Sequence, residues 1–522
     1  MNLIRAGATV GGMTMISRVL GFLRDILIAM ALGAGPIAEA YVVAIRFPNL
    51  FRRLFAEGAF NSAFIPLFSK HLEGEGRGAA QQFALEVLSI LTTALIVLSI
   101  VAEIFMPWLM YLIAPGFSEE PEKYDLAVTL TRIAFPYLLF MSLTAMVSGV
   151  LNSLGKFAAA AAAPIWLNVV LICALFAIVN LGFSNTVLAG KILVWGISLA
   201  GGLQLLTVWL ASWRAGIRLS FCWPTLTPGV RRLVELGIPG VIAGGITQIN
   251  IVIGTIIASL QAGAVAWLYY ADRIYQLPLG VIGIAIGVVL LPELSRKLRA
   301  GDGEGLFTSQ NRALEFSMLL TLPAAAALIA MPEPIIQTLF QRGAFEAADT
   351  AATAGALAAF AAGLPSFVLI KVFSPGFFAR EDTRTPMYFA GISVAVNVIG
   401  SFILFYLIGF VGIAIATSLA GWVNAGALGI TLHRQGHFPL DARLKRRIPR
   451  ILLASSIMAA VLWMMSSYLA PSFAAGIPSP VRATLLAGMV FGGLATFWAA
   501  AEFTGAAHLD ELLAHYRRKN RK

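Results

Sequence analysis

Charge is scarce in this sequence. Of 522 residues only 12% are Asp, Glu, Lys or Arg, against roughly 25% in a soluble domain. Hydrophobic residues make up 59% and mean hydropathy is +0.83. A soluble protein has no way to bury that much apolar surface, so lipid must be the solvent for most of the chain. Cysteine is almost missing. Cys173 lies in an apolar run and Cys222 in a basic stretch, which leaves no disulfide framework and no support for thiol chemistry. The five histidines (His71, His433, His437, His508 and His515) fall in connecting segments or the tail without metal-ligand spacing, so no metal site is expected. No glycine loop followed by Lys-Ser/Thr is present, which argues against ATP-driven work. Paired aspartates suited to metal-dependent prenyl or sugar transfer are missing too. The chain is therefore not expected to be an enzyme or to hold a cofactor.

Apolar runs of about 20 residues, by contrast, recur from end to end, each long enough to cross a hydrocarbon core about 30 Å thick. The runs are solidly apolar rather than alternating, so helices and not barrel strands are expected. This reading gives an all-α integral membrane protein of about fourteen spans, at 8–33, 37–69, 82–113, 124–151, 158–182, 188–212, 233–260, 264–293, 313–332, 350–375, 386–408, 411–432, 451–470 and 481–504. The first run contains Arg18, Arg24 and Asp25 with no cleavage site after it, so it reads as a retained span and not a signal peptide.

The net charge of +11 invites a nucleic-acid reading, but its placement argues for a membrane topology. Basic residues gather in alternate connections: Arg214, Arg218, Arg231 and Arg232, then Arg296, Lys297 and Arg299, then Arg443, Lys445, Arg446, Arg447 and Arg450, with Arg517, Arg518, Lys519, Arg521 and Lys522 in the tail. The opposite connections are short or acidic, as in 115–125 with Glu119, Glu120 and Glu122. Such a distribution puts both termini on the cytoplasmic side and makes the span count even. The basic loops then act as topology signals and contacts to anionic membrane lipids, with no nucleic-acid partner.

A faint internal repeat organises the spans. Gly35-Pro-Ile-Ala-Glu-Ala-Tyr41 is echoed by Gly263-Ala-Val-Ala-Trp-Leu-Tyr269, and Ile65-Pro-Leu-Phe-Ser-Lys-His-Leu72 by Leu291-Pro-Glu-Leu-Ser-Arg-Lys-Leu298. Both echoes tie the second span to the eighth, an even offset that preserves orientation across the membrane. Two pseudo-symmetric six-helix lobes are expected, at 1–220 and 221–440, followed by two extra helices and a basic tail at 441–522.

The most informative residues are ionisable groups inside spans. Arg18, Arg24 and Asp25 lie in the first, Glu39, Arg46, Arg52, Arg53 and Glu57 in the second, and Asp272 and Arg273 in the eighth. An arginine near the bilayer centre costs about 2.5–3.5 kcal/mol on the lenient insertion scale, so these side chains must face water or one another. Helical phase puts Glu39, Arg46, Arg53 and Glu57 on one stripe, and Arg18 on the same face as Asp25. In the first two spans five arginines (Arg18, Arg24, Arg46, Arg52, Arg53) meet three acids (Asp25, Glu39, Glu57), an excess of two positive charges. A purely structural network tends towards neutrality, because an uncompensated buried charge is strongly destabilising. Surplus guanidinium in a wet cavity instead suits an anionic ligand, and the forked geometry suits a diphosphate.

Four segments resemble a known family. Met13-Thr-Met-Ile-Ser-Arg-Val-Leu-Gly-Phe-Leu-Arg-Asp25, Phe47-Pro-Asn-Leu-Phe-Arg-Arg-Leu-Phe-Ala-Glu-Gly-Ala-Phe60, Tyr269-Tyr-Ala-Asp-Arg273 and Pro375-Gly-Phe-Phe-Ala-Arg-Glu-Asp-Thr-Arg-Thr-Pro386 are similar to the MurJ (MviN) lipid II flippases. That resemblance implies a transporter of the bacterial inner membrane. Its cargo would be the undecaprenyl-diphosphate-linked disaccharide-pentapeptide precursor of peptidoglycan, and its last two helices would help form a groove for the polyprenyl tail. It also allows partners among the cell-wall synthesis and division proteins. By the same resemblance the cavity arginines fall on Arg18, Arg24, Arg52 and Arg273, with Asp25 and Glu57 as polar partners and Glu39 as a further cavity acid. Some members are described with a carboxylate sodium site in the second lobe. No Asp or Glu occurs here in 236–271 or 387–411, so the membrane potential or another ion is expected to take that part. Two alternatives stay open: an exporter of drugs or of another lipid-linked oligosaccharide on the same plan, and a non-transporting cell-wall scaffold. A drug exporter for cations should show surplus acid in its cavity, where this chain shows surplus arginine.

Overall fold

In lipid a spanning backbone must satisfy its own polar groups, and among solidly apolar segments only helices do so. The computed structural model describes residues 3–53, 59–474 and 476–506. Glu57 and the basic tail from Arg517 onward lie outside the described residues. Those described form nineteen α-helices with short connections, and no β-strand occurs among them. Ten helical stretches are long and apolar enough to cross a membrane, and they coincide with ten of the expected spans. The other four expected spans fall on the charged or partly described helices α1, α2 with α3, α11 and α12, whose ranges follow. The chain is an all-helical, multi-pass membrane protein, consistent with fourteen spans.

Two compact units divide the chain, Met1–Ala266 with Arg342–Phe345, and Trp267–Gln341 with Glu346–Lys522. The first contains α1 (Leu3–Leu32), α2 (Pro36–Arg52), α3 (Ala59–Gly74), α4 (Arg77–Ile104), α5 (Met106–Ile113), α6 (Pro121–Ala134), α7 (Tyr137–Ser153), α8 (Ala158–Ala162), α9 (Ile165–Asn180), α10 (Val187–Arg214) and α11 (Pro228–Ser259). Several expected single spans are interrupted, and proline marks the interruptions. Pro136 separates α6 from α7, and Met106-Pro107 restarts the helix as α5 after α4, because proline lacks the amide that would continue the ladder. The expected span 37–69 is described as two helices, α2 and α3. Phe64, Phe68 and Phe83 stack at the centre of this unit's core with Met146 and Val150 of α7.

The C-terminal end of α1 shows how the fold closes a helix inside an apolar setting. Its last carbonyls have no partner within the helix, so the chain supplies three amides. Gly33 donates to Ala29 (2.9 Å), Ala344 to Met30 (3.0 Å) and Asn185 to Ala31 (2.7 Å). Gly33 turns the chain at φ +65°, and a Cβ there would lie 2.3 Å from the Ala344 carbonyl oxygen. Gly343 answers it at φ +60°, where a Cβ would lie 2.4 Å from the Met30 oxygen. Only glycine fits either position.

The second unit contains most of α12 (Ala264–Arg299), then α13 (Gly303–Ala330), α14 (Pro332–Leu339), α15 (Ala347–Phe378), α16 (Arg384–Ile408), α17 (Val411–Arg434), α18 (Ala442–Leu469) and α19 (Ser479–Thr504). α14 is a short helix of eight residues that starts at Pro332 directly after α13. Small and hydroxyl residues bring α15 and α17 together, with Ser418 donating to the Ala359 carbonyl at 2.7 Å and Trp422 to that of Ala362 at 2.9 Å, the usual glue between membrane helices. Between α15 and α16, Thr385 donates its amide to Asp382 at 3.0 Å, and that bond holds the Asp382 carboxyl below the usual range.

Candidate functional site

α1 carries the densest part of the site. Asp25 is buried at 4% exposure, and its Oδ1 accepts from Arg24 Nε at 3.1 Å and Nη2 at 2.8 Å. From α9, Asn168 accepts from Arg24 Nη1 at 3.0 Å and donates back to the Ser17 carbonyl at 2.9 Å. The guanidinium is thus held in a fixed orientation by one acid and one neutral amide. Arg18 lies nearly two turns earlier on α1, exposed, and lines a cavity of about 490 Å³ with Ser17, Ser148 and Asn152.

α2 distributes its charges differently from the expected stripe. Glu39 is 1% exposed. Its Oε2 meets Lys123 Nζ of α6 at 2.6 Å, and its Oε1 accepts the Val265 amide at 3.2 Å. Lys123 also lies over the Phe117 ring at 4.3 Å. The pairing has a physical cause, since a carboxylate this deep needs a cation and donors of its own. Arg46 donates to Thr255 of α11 at 3.0 Å. Arg52 Nε donates to Asn49 at 3.1 Å, and Arg53 is exposed at the end of the helix. In the second unit, Arg273 stacks its guanidinium over the Tyr269 ring at 4.6 Å. Its neighbour Asp272 accepts from Gln276 and lines a cavity of about 330 Å³ with Tyr275, Phe367 and Lys371.

The structure therefore brings Arg24 and Asp25 together and sets Arg18 beside a cavity on the same helix. It gives Glu39 a separate buried pairing, and Arg46 and Arg52 each donate to a neutral side chain. Three contributors escaped the sequence reading. Asn168 carries no charge to flag it within an apolar run. Lys123 sits among Glu119, Glu120 and Glu122 and reads as part of an acidic loop. Lys371 could have been found, because a lysine inside an apolar span is itself a signal.

The family model described as lipid II flippase MurJ matches residues 28–481. The chain belongs to this family. A probable lipid II flippase MurJ of Rhizobium meliloti (strain 1021) is 51% identical, over 98% of this chain and 95% of that protein. The lipid II flippase MurJ of Burkholderia cenocepacia is 35% identical, over 88% of this chain and 90% of its own length. A solved structure of lipid II flippase MurJ in an inward closed conformation is 26% identical and superposes with a TM-score of 0.77, covering 95% of this chain and 98% of that one. An inward-facing multidrug resistance MATE family transporter, 17% identical with a TM-score of 0.63, covers 84% of this chain and 99% of its own and shares the fold. The resemblance carried by the four segments is borne out. Proteins of the family are named as flippases, that is, as transporters rather than enzymes.

Proposed function

We propose that the chain carries lipid II, the undecaprenyl-diphosphate-linked peptidoglycan precursor, from the cytoplasmic to the periplasmic leaflet of the bacterial inner membrane by alternating access, with both its termini cytoplasmic. The observation that carries this reading is the mounting of Arg24. Asp25 and Asn168 fix its guanidinium from one side, and Arg18 on the same helix has no hydrogen-bond or ion-pair partner among the described residues. Because Glu39 is taken by Lys123, it offers no compensation to the arginines. The excess of arginine over acid counted in the first two spans is matched by a diphosphate in sign and in fork geometry. Arg52 and Arg273 join Arg24 as proposed diphosphate ligands, and Arg18 is proposed to line the binding cavity.

Binding the diphosphate neutralises these arginines and lowers the cost of enclosing them, so the loaded carrier closes where the empty one does not. The head group crosses through a wet interior while the tail stays in lipid. After release, mutual repulsion of the arginines and the membrane potential, worth about 2.3 kcal/mol per charge per 100 mV, reset the empty carrier.

Depletion of the protein in its host tests the reading, with surface accessibility of lipid-linked precursor measured by an externally added cleaving enzyme. Precursor should become protected on depletion, and wild-type but not correctly inserted Arg24→Ala should restore access. Unchanged accessibility on depletion would overturn the function, and full restoration by Arg24→Ala would overturn the role of the cation.

A further inference from the structure

The 490 Å³ cavity beside Arg18 has more polar character than the diphosphate reading uses. Its wall is built from two helical faces. Thr14, Ser17 and Arg18 project from α1 at spacings of three and four, and Ser148 and Asn152 project from α7 one turn apart. Phe157, just before α8, adds an aromatic ring to the wall. The volume lies within the roughly 300–1,000 Å³ of ordinary small-molecule sites.

The polar groups here are poorly used by the protein. Among the described residues the Ser148 hydroxyl, the Asn152 amide and the Arg18 guanidinium make no side-chain hydrogen bond or ion pair. Other hydroxyls of these helices turn back onto the backbone, as Thr14 on the same wall does to Val10 at 2.8 Å and Thr144 to Phe140 at 2.7 Å. Donors and acceptors left open within membrane helices face water or a ligand. The set has one cation and several neutral groups able both to donate and to accept, which suits hydroxyls and amides better than a second phosphate.

Position completes the argument. Ser17 lines the cavity and is also hydrogen-bonded to Asn168, which holds Arg24. Along α1 the rise from Arg24 to Arg18 is about 9 Å and to Thr14 about 15 Å. A ligand with its charge at Arg24 would therefore lay its next one or two sugar rings along this wall. We propose that the cavity is a subsite for the uncharged, hydroxyl- and amide-rich sugars of the head group, and that Ser148 and Asn152 let the carrier distinguish a loaded lipid from bare polyprenyl diphosphate. The proposal rests on the diphosphate lying at Arg24.

The test uses the full chain in lipid vesicles and two probes, undecaprenyl diphosphate alone and the same lipid bearing its N-acetylated disaccharide. Ser148→Leu and Asn152→Leu fill the cavity with good helix formers, and Asn152→Ala removes the amide without filling it. Each variant is first matched to wild type in thermal midpoint. Wild type should bind the sugar-bearing lipid at least tenfold tighter than the bare one. The three variants should lose that advantage and keep their affinity for bare diphosphate, while Arg24→Ala weakens both. Equal wild-type affinity for the two lipids, or variants that weaken both in proportion, would overturn the subsite. If Arg24→Ala leaves both affinities unchanged, the diphosphate reading fails instead, and that outcome is separable from the first.

Discussion

Two arginine clusters in this protein are built on opposite plans. At the junction of α13 and α18, Glu315 accepts from Arg312, Arg443 and Arg447 together, and Arg312 reaches on to Asp441. Every guanidinium there meets a carboxylate, and Asn311 adds neutral bonds to the Pro439 carbonyl and the Asp441 amide. On α1, Arg24 shares its donors between Asp25 and the amide of Asn168, while Arg18 faces an open cavity. The first cluster uses arginine to tie two helices. The second holds Arg24 between one carboxylate and one neutral amide and sets Arg18 beside a cavity. What separates them is the amide of Asn168, which fixes the geometry of Arg24 without adding a second carboxylate.

The sharpest way to break this comparison is to remove the carboxylate that the structural cluster shares. Glu315→Gln should lower stability by about 3 kcal/mol, the lower part of the range for a broken buried pair because Arg443 is 48% exposed. A thermal-unfolding series of the purified protein reads this directly. Normal folding yield and midpoint would show that the junction does not depend on its ion pairs.

Converting one cluster toward the plan of the other gives the next effect. Asn168→Asp keeps the shape of the side chain and gives Arg24 a second carboxylate. Affinity for undecaprenyl diphosphate should fall about tenfold, or about 1.4 kcal/mol, with the thermal midpoint held or raised. Undiminished binding would mean that the charge on Arg24 is not what the ligand reads.

The smallest effect concerns an acid that stays out of both plans. Glu381 lies between Arg380 and Arg384 near the family-like segment's end, yet it makes no ion pair among the described residues. It occupies the left-handed position after α15 at φ +63°, where its amide bonds to Phe378 and that of Asp382 to Phe377. Glycine is the residue suited to that conformation. Glu381→Gly should stabilise by at most about 1 kcal/mol, seen as a small rise in thermal midpoint. A fall would show that the carboxylate has a partner in the membrane-bound state.

Much of this was legible before any coordinates. Long apolar runs dictate helices, and an arginine inside such a run announces itself because lipid makes it expensive, which is why Arg18, Arg24 and Asp25 stood out. Helical phase, however, gives the direction of a side chain and not its partner. Glu39 and Arg46 share a stripe, yet Glu39 bonds to Lys123 on α6 and Arg46 to Thr255 on α11. Those partners lie 84 and 209 positions further along the chain, and no local pattern carries that information. The basic run from Arg443 had the same limit. It reads as a topology signal, while two of its members also bind helices together through Glu315.

The glycine-lined closure of α1 has a consequence for how the protein is made. Met30 receives its amide from Ala344, which lies 314 positions later in the chain (344 minus 30). At bacterial elongation rates of roughly 5–20 residues per second, that donor emerges roughly 15–60 s after the acceptor. The first helix therefore enters the membrane with one end provisional, its carbonyl served by water or lipid head groups until the segment around Gly343 is synthesised. A ribosome that stalls before that point leaves a first helix already inserted but not yet closed, a species that quality-control proteases could tell apart from the finished transporter.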